Sequence, residues 1–197
     1  MSEPEPSPWN VPNALCVFRI AAAPVLAYLA YRHQSTAFAW LFGAMFLSDW
    51  LDGKIAILFD QRTTIGARLD SAGDAAMYAA LLFGLFWMKW DVIRGEAVWL
   101  IAAVVSYAAS CGAGLAKFGR IPSYHTRAAK TCWLLIGLAT ISVFAEGPVW
   151  PLRVAAIAGL LTNLEGLWIT RVLPEWRANV RSIYHVLRDT RRAETGH

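Results

Sequence analysis

The chain has 197 residues, 57% of them hydrophobic and 16% charged, with a formal net charge of +4; an ordinary soluble domain is about 45–50% apolar and about 25% charged. That balance argues against a soluble globular protein, and apolar runs along nearly the whole length, with ten tryptophans, point to several membrane-spanning helices. The basic residues cluster at the ends of apolar segments and in the last twenty residues, so the expected counterpart is anionic lipid headgroups and not nucleic acid.

Residues 1–10 are rich in Pro, Glu and Ser and read as a disordered or interfacial start, with no basic stretch ahead of an apolar core and hence no cleaved signal expected. A bilayer core of about 30 Å and a rise of 1.5 Å per residue require about 20 residues per span. Six segments qualify: Val11 to Tyr31, Ala37 to Phe59, Gly66 to Met88, Ala97 to Leu115, Ala128 to Ala145 and Leu152 to Val172. The fold class expected is therefore all-α and polytopic, with residues 11–173 forming one six-helix membrane domain. Trp9, Trp87, Trp90, Trp150 and Trp176 fall near predicted ends, where indole rings favour the headgroup layer. Residues 174–197 read as a basic amphipathic tail, with Val180, Ile183, Tyr184 and Leu187 on one side. Cys16, Cys111 and Cys132 lie apart in apolar stretches and read as packing residues.

Cations outside the spans set the orientation. Lys117, Arg120, Arg127 and Lys130 lie between the fourth and fifth spans, Arg62 between the second and third, and Arg177, Arg181, Arg188, Arg191 and Arg192 in the tail. The other side has Arg32, Lys89, Arg94 and Arg153. The positive-inside rule then puts both termini in the cytoplasm.

Four carboxylates stand out against this apolar background. Asp49, Asp52, Asp70 and Asp74 lie in or beside the second and third spans, where an ionised side chain is costly and a functional role is the default expectation. At 100° per residue, Asp49, Asp52, Gly53 and Ala56 share an arc of about 100°, and Gly66, Asp70 and Asp74 one of about 80°. Lys54 lies about 140° around from Asp49 and Arg68 about 160° from Asp70, so neither neutralises its own helix's stripe. Convergence of two such stripes would demand protonation or bound cations, and hard divalent ions suit an all-oxygen donor set. Gly53 and Gly66 remove bulk beside the carboxylates, whereas Gly43, Gly84, Gly137 and Gly159 read as helix-packing contacts.

The pattern Asp49-x2-Asp52-Gly53-x2-Ala56, followed by Gly66-x3-Asp70-x3-Asp74, fixes seven positions over 26 residues and resembles the signature of the CDP-alcohol phosphotransferase family. Pro12-Asn13-Ala14-Leu15-Cys16-Val17-Phe18-Arg19 is similar to the opening of bacterial phosphatidylglycerophosphate and cardiolipin synthases, with Cys16 where those usually carry Thr. A second departure is Ile57, which follows Ala56 where the family pattern has Arg, and which removes a cation expected at the donor's diphosphate.

The resemblance implies a metal-dependent phosphotransferase acting in phospholipid biosynthesis, with two divalent cations, Mg2+ or Mn2+, held by Asp49, Asp52, Asp70 and Asp74. It makes Asp74 also the catalytic base toward the acceptor hydroxyl. It assigns Pro12, Asn13, Gly53, Ala56, Thr63 and Gly66 to the donor, CDP-diacylglycerol. The basic stretch itself, with Arg127 and Lys130 three residues apart and Arg120 nearby, reads as an anion site for a phosphorylated acceptor; Lys130 also resembles a lysine of bacterial members, and His125 reads as an interfacial hydrogen-bonding residue. Glycerol 3-phosphate is the first choice of acceptor and inositol phosphate the second, while a CDP-amino-alcohol donor shares the same core signature. The setting implied is the bacterial inner membrane, as a homodimer with its site open to the cytoplasm. Two other classes use the same aspartates: a cation or proton transporter, against which the lack of an internal repeat weighs, and a catalytically silent lipid binder, suggested by Ile57.

Overall fold

The computed structural model describes residues 10–61, 63–120, 124, 126–176, 180, 182, 184 and 188. Among these there are seven helices and no strand: α1 (Val11–Tyr31), α2 (Ser35–Leu58), α3 (Thr64–Met88), α4 (Trp90–Gly95), α5 (Ala97–Phe118), α6 (Arg127–Phe144) and α7 (Trp150–Val172). Six correspond to the predicted spans, with ends displaced by no more than a turn, and α4 is an addition, too short to carry a periodic signal. The protein is a polytopic membrane protein: α1, α3, α5, α6 and α7 are long and apolar enough to cross a bilayer. Although α2 has the length, at 24 residues, it falls outside that group because Asp49, Asp52 and Lys54 dilute its apolar content.

The chain divides into two compact units, one formed by residues up to Ile93 with Thr140–Gly147, the other by Arg94–Ala139 with the residues from Pro148 onward. In the first, α1 packs against both α2 and α3. Asn10 caps α1 by accepting a hydrogen bond from the Asn13 amide at 2.9 Å, and Pro12 sits in the first turn, where its missing N–H leaves no bond unmade. Thr63 caps α3, its hydroxyl accepting from the Gly66 amide at 2.9 Å. Far from this end, Phe38 stacks on Phe144 with centroids 4.0 Å apart. A Cβ at Gly84 would lie 2.7 Å from the Phe38 ring, and one at Gly43 would lie 3.5 Å from Ile141, so both glycines are packing contacts as expected. Lys89, which is buried, ion-pairs with Glu146 at 2.5 Å.

In the second unit α5 packs on α7. Asn163 donates to the Ser106 hydroxyl at 2.9 Å, and Gly159 faces Cys132 Sγ and Ala103 across van der Waals distance. At the end of α5, Gly119 adopts φ +65, the left-handed conformation that stops a helix. The expected tail helix falls largely outside the described residues, Ile183 and Leu187 included. Val180 is buried against Tyr124, Ile169 and Leu173, while Tyr184 is exposed.

Candidate active site

The two acidic stripes meet. Asp49 and Asp52 from α2, and Asp70 and Asp74 from α3, converge on one residue of α1, Arg19, whose side chain is wholly buried. Its Nη1 donates to Asp49 and Asp74, and its Nη2 donates to Asp52 at 2.5 Å and to Asp70 at 2.7 Å. This corrects the expectation that these carboxylates lack a protein counter-cation. Lys54 lies over the Trp50 ring, in line with the helical-wheel argument, but the neutralising charge comes from a different helix. The correction is partial, since four carboxylates against one guanidinium leave a formal charge of −3.

Gly73 makes room for the arginine. A Cβ there would lie 3.4 Å from Arg19 Cβ and 3.3 Å from the Cys16 carbonyl oxygen, tighter than ordinary contact. Cys16 joins the cluster, its thiol donating to Asp52 Oδ2 at 3.4 Å, so this cysteine does more than fill space.

Beside the cluster lies a cavity of about 300 Å³ lined by Pro12, Asn13, Cys16, Asp52, Gly53, Ala56, Gln61, Thr63, Gly66, Ala67 and Asp70. All six residues expected around a donor thus border one space together with two of the aspartates. Asn13 donates through Nδ2 to the Thr63 hydroxyl at 3.3 Å, linking the first turn of α1 to the first turn of α3. Asn10 donates to the Gln61 carbonyl at 3.3 Å and fastens the same two segments. A Cβ at Gly66 would come within 2.5 Å of Asn13 Oδ1 and 2.8 Å of Thr63 Oγ1, so only glycine lets this corner close. At Gly53 a Cβ would meet nothing within 4 Å; there the glycine faces open space. Ile57, one turn beyond Gly53, is 61% exposed.

The donor set fits hard divalent cations. Oxygens of Asp49, Asp70 and Asp74 lie within 4.8 Å of one another, an all-oxygen group, whereas the second such group, Cys16, Asp52 and Asp70, includes a soft thiol. Arg19 engages one oxygen of each carboxylate and leaves the second for another partner. The α3 carboxylates are the accessible ones, with Asp70 and Asp74 side chains 49% and 38% exposed against 17% and 7% for Asp49 and Asp52.

Arg120, Arg127 and Lys130 belong to the second unit and are exposed. Arg127 and Lys130 stand on the first turn of α6, which Thr126 caps by accepting from the Ala129 amide at 3.2 Å, and Arg120 lies over the Trp176 ring. Lys117, in the same basic stretch, is engaged structurally. Its ammonium donates to the carbonyls of Thr170, Arg171 and Leu173, each at 2.9 Å, closing the end of α7. Arg62 and His125 lie outside the described residues.

A family model described as CDP-alcohol phosphatidyltransferase matches residues 9–168 of this chain. The chain is 31% identical over 166 residues to a CDP-diacylglycerol–glycerol-3-phosphate 3-phosphatidyltransferase from Pseudomonas fluorescens, covering 78% of this chain and 84% of that protein. It is 36% identical over 80 residues to the human cardiolipin synthase (CMP-forming), covering 40% of this chain and 27% of that protein. It is 34% identical over 74 residues to the CDP-diacylglycerol–inositol 3-phosphatidyltransferase of Saccharomyces cerevisiae, covering 38% and 33%. No solved structure matches the chain.

Proposed function

This chain belongs to the CDP-alcohol phosphatidyltransferase family, and on that premise we propose that it transfers the phosphatidyl group of CDP-diacylglycerol to a small polar alcohol, glycerol 3-phosphate first, with release of CMP. One observation carries the reading: Pro12, Asn13, Gly53, Ala56, Thr63 and Gly66 border a single cavity with Asp52 and Asp70. A polar nucleotide moiety and its diphosphate would enter between the first turns of α1 and α3, beside carboxylates that call for cations. The similarity to the Pseudomonas enzyme over most of both chains supports the choice of acceptor.

Asp49, Asp52, Asp70 and Asp74 would hold two divalent cations, Mg2+ or Mn2+. When bound, these supply Lewis-acid stabilisation of the charge that develops on the diphosphate. The chain's own residues do the rest. Thr63 and Asn13, already paired with each other, present a hydroxyl and an amide to the nucleotide, while Gly53 and Ala56 leave the α2 wall of the cavity flat. Asp74, the most accessible carboxylate after Asp70, accepts the proton of the acceptor hydroxyl. That oxygen forms its bond to the phosphatidyl phosphorus as the bond to CMP breaks, and CMP departs with the electron pair. Arg120, Arg127 and Lys130 would bind the acceptor's phosphate.

The setting proposed is the bacterial inner membrane with both termini and the site on the cytoplasmic side, supported by the distribution of Lys and Arg. A homodimer is proposed from the family resemblance. The test is CMP release by the purified full chain in detergent, given CDP-diacylglycerol, Mg2+ or Mn2+, and in turn glycerol 3-phosphate, inositol phosphate, inositol, serine and phosphatidylglycerol, each against Asp74→Asn. Metal-dependent release with glycerol 3-phosphate, lost in the variant, is the expected result. Release with a different acceptor alone moves the assignment to that alcohol, and no release with any acceptor overturns it.

A further inference from the structure

We propose that Arg19 is the built-in counter-cation of the acidic cluster, holding Asp49, Asp52, Asp70 and Asp74 together without metal and weakening the cluster's hold on divalent cations. The inference rests on the reading of the cluster as a cation site. It makes Arg19 a positioning residue whose charge sets how readily metal is taken up and given back.

Three features of the geometry support it. Each guanidinium nitrogen joins one carboxylate of α2 to one of α3: Nη1 joins Asp49 to Asp74, and Nη2 joins Asp52 to Asp70. Arg19 is therefore a double cross-link between helices whose facing stripes would otherwise repel. The side chain also has no route to water. It is fully buried, its stem runs against Gly73, and its Nε finds no hydrogen-bond partner among the described residues. A buried arginine left at the bottom of a site cannot be exchanged for solvent when a cation arrives; it must stay and share the carboxylates. Finally, the cluster is accessible through its α3 members, Asp70 and Asp74, which are 49% and 38% exposed while Arg19 is buried. A cation taken up there binds carboxylates that already face a positive charge.

Two like-signed partners sharing four carboxylates repel across a poorly screened site. Removing the guanidinium charge should therefore tighten metal binding by at least about tenfold while making the metal-free protein depend on that metal for its stability. Ordinary packing by a long side chain predicts neither.

The experiment compares the full-length wild type, Arg19→Gln and Arg19→Lys in detergent, all prepared with Mn2+ present and then chelated. Mn2+ itself is the probe, followed by the loss of its free electron-spin-resonance signal, and thermal unfolding is recorded in chelator and in saturating Mn2+. The expected result is a wild type whose Tm moves little on chelation, and an Arg19→Gln chain whose Tm drops in chelator, recovers with Mn2+, and which binds Mn2+ at least about tenfold more tightly. Arg19→Lys keeps the charge and should bind Mn2+ within about threefold of wild type. Equal Tm loss with and without Mn2+, unchanged or weaker Mn2+ affinity in Arg19→Gln, or failure of that variant to fold even with Mn2+ present overturns the inference. Equal Mn2+ affinity in all three chains removes it while leaving the cation site intact, whereas no Mn2+ binding by any chain removes the cation site itself.

Discussion

Gly66→Ala tests the donor corner with the smallest possible change, one methyl group. The added carbon would sit 2.5 Å from Asn13 Oδ1 and 2.8 Å from Thr63 Oγ1, well inside contact distance, so at least one of the two must move. Both are held: Thr63 Oγ1 accepts from the Gly66 amide and from Asn13 Nδ2. Loss of the cap costs about 1 kcal/mol, loss of the side-chain hydrogen bond about 1 kcal/mol, and replacing glycine by alanine inside a helix returns about 0.5–1 kcal/mol. The net destabilisation is then only about 1 kcal/mol, too little to unfold the chain. The site suffers more, because the same shift removes two polar groups from the positions where a nucleotide would meet them. One lost or misdirected hydrogen bond to the ligand corresponds to roughly a tenfold rise in donor KM. The assay is CMP release at varied CDP-diacylglycerol with saturating acceptor, alongside thermal unfolding in the same detergent. Gly53→Ala is the matched comparison, since its Cβ meets nothing within 4 Å and should leave the fold as stable or more so. A Gly66→Ala enzyme with wild-type donor KM refutes the assignment of this corner to the donor, as does an equal effect on acceptor KM alone.

Asp74→Asn should fold and retain some metal binding while losing about 10²–10⁴-fold in turnover, the range for removing a general base; wild-type turnover by the purified variant would end that role for Asp74. Ile57→Arg places a guanidinium one turn from Gly53, at the C-terminal end of α2, and donor KM should fall several-fold. An unchanged or raised KM would mean that the diphosphate lies elsewhere. Away from the site, Arg153 donates two hydrogen bonds of 2.7 Å to Glu96 and holds its carboxyl below the ordinary value of 4.5. Stabilisation from this pair is present above that ordinary value and lost as pH falls through the lowered one, because the unfolded chain takes up the proton first. Wild-type Tm measured across pH 3–6 (about the carboxylate range) should decline on acidification more steeply than that of Glu96→Gln, and parallel profiles would exclude the linkage.

The aspartates were legible because an ionised carboxylate in a spanning helix is conspicuous against an apolar background. Spacing alone then put each pair on one face, and the structure joins the two faces. Helix ends were legible to within a turn from apolar content alone, and the structure supplies the local stops that the reading did not use: Asn10, Thr63 and Thr126 each accept a backbone amide at a helix start, and Gly119 takes the left-handed conformation at the end of α5. The six-residue α4 was not, since a segment shorter than two turns shows no period.

Arg19 shows where such reasoning stops short. A search for counter-charges along the same helix reaches only Lys54, five positions from Asp49, and Arg68, two from Asp70, and helical spacing turns both away from the acidic stripes. Nothing in that search reaches α1. Yet the rule that singled out the aspartates applies equally to an arginine eight residues into a 21-residue apolar helix, about 12 Å from its start. Charges of opposite sign on different spanning helices have strong reason to find each other, because neither has water as an alternative. A cationic span should therefore be paired with the acidic ones before bound metal is asked to balance the whole charge. In this chain that step changes the balance left for metal from −4 to −3, and it converts an acidic pocket into a site where a fixed cation and mobile ones compete for the same carboxylates.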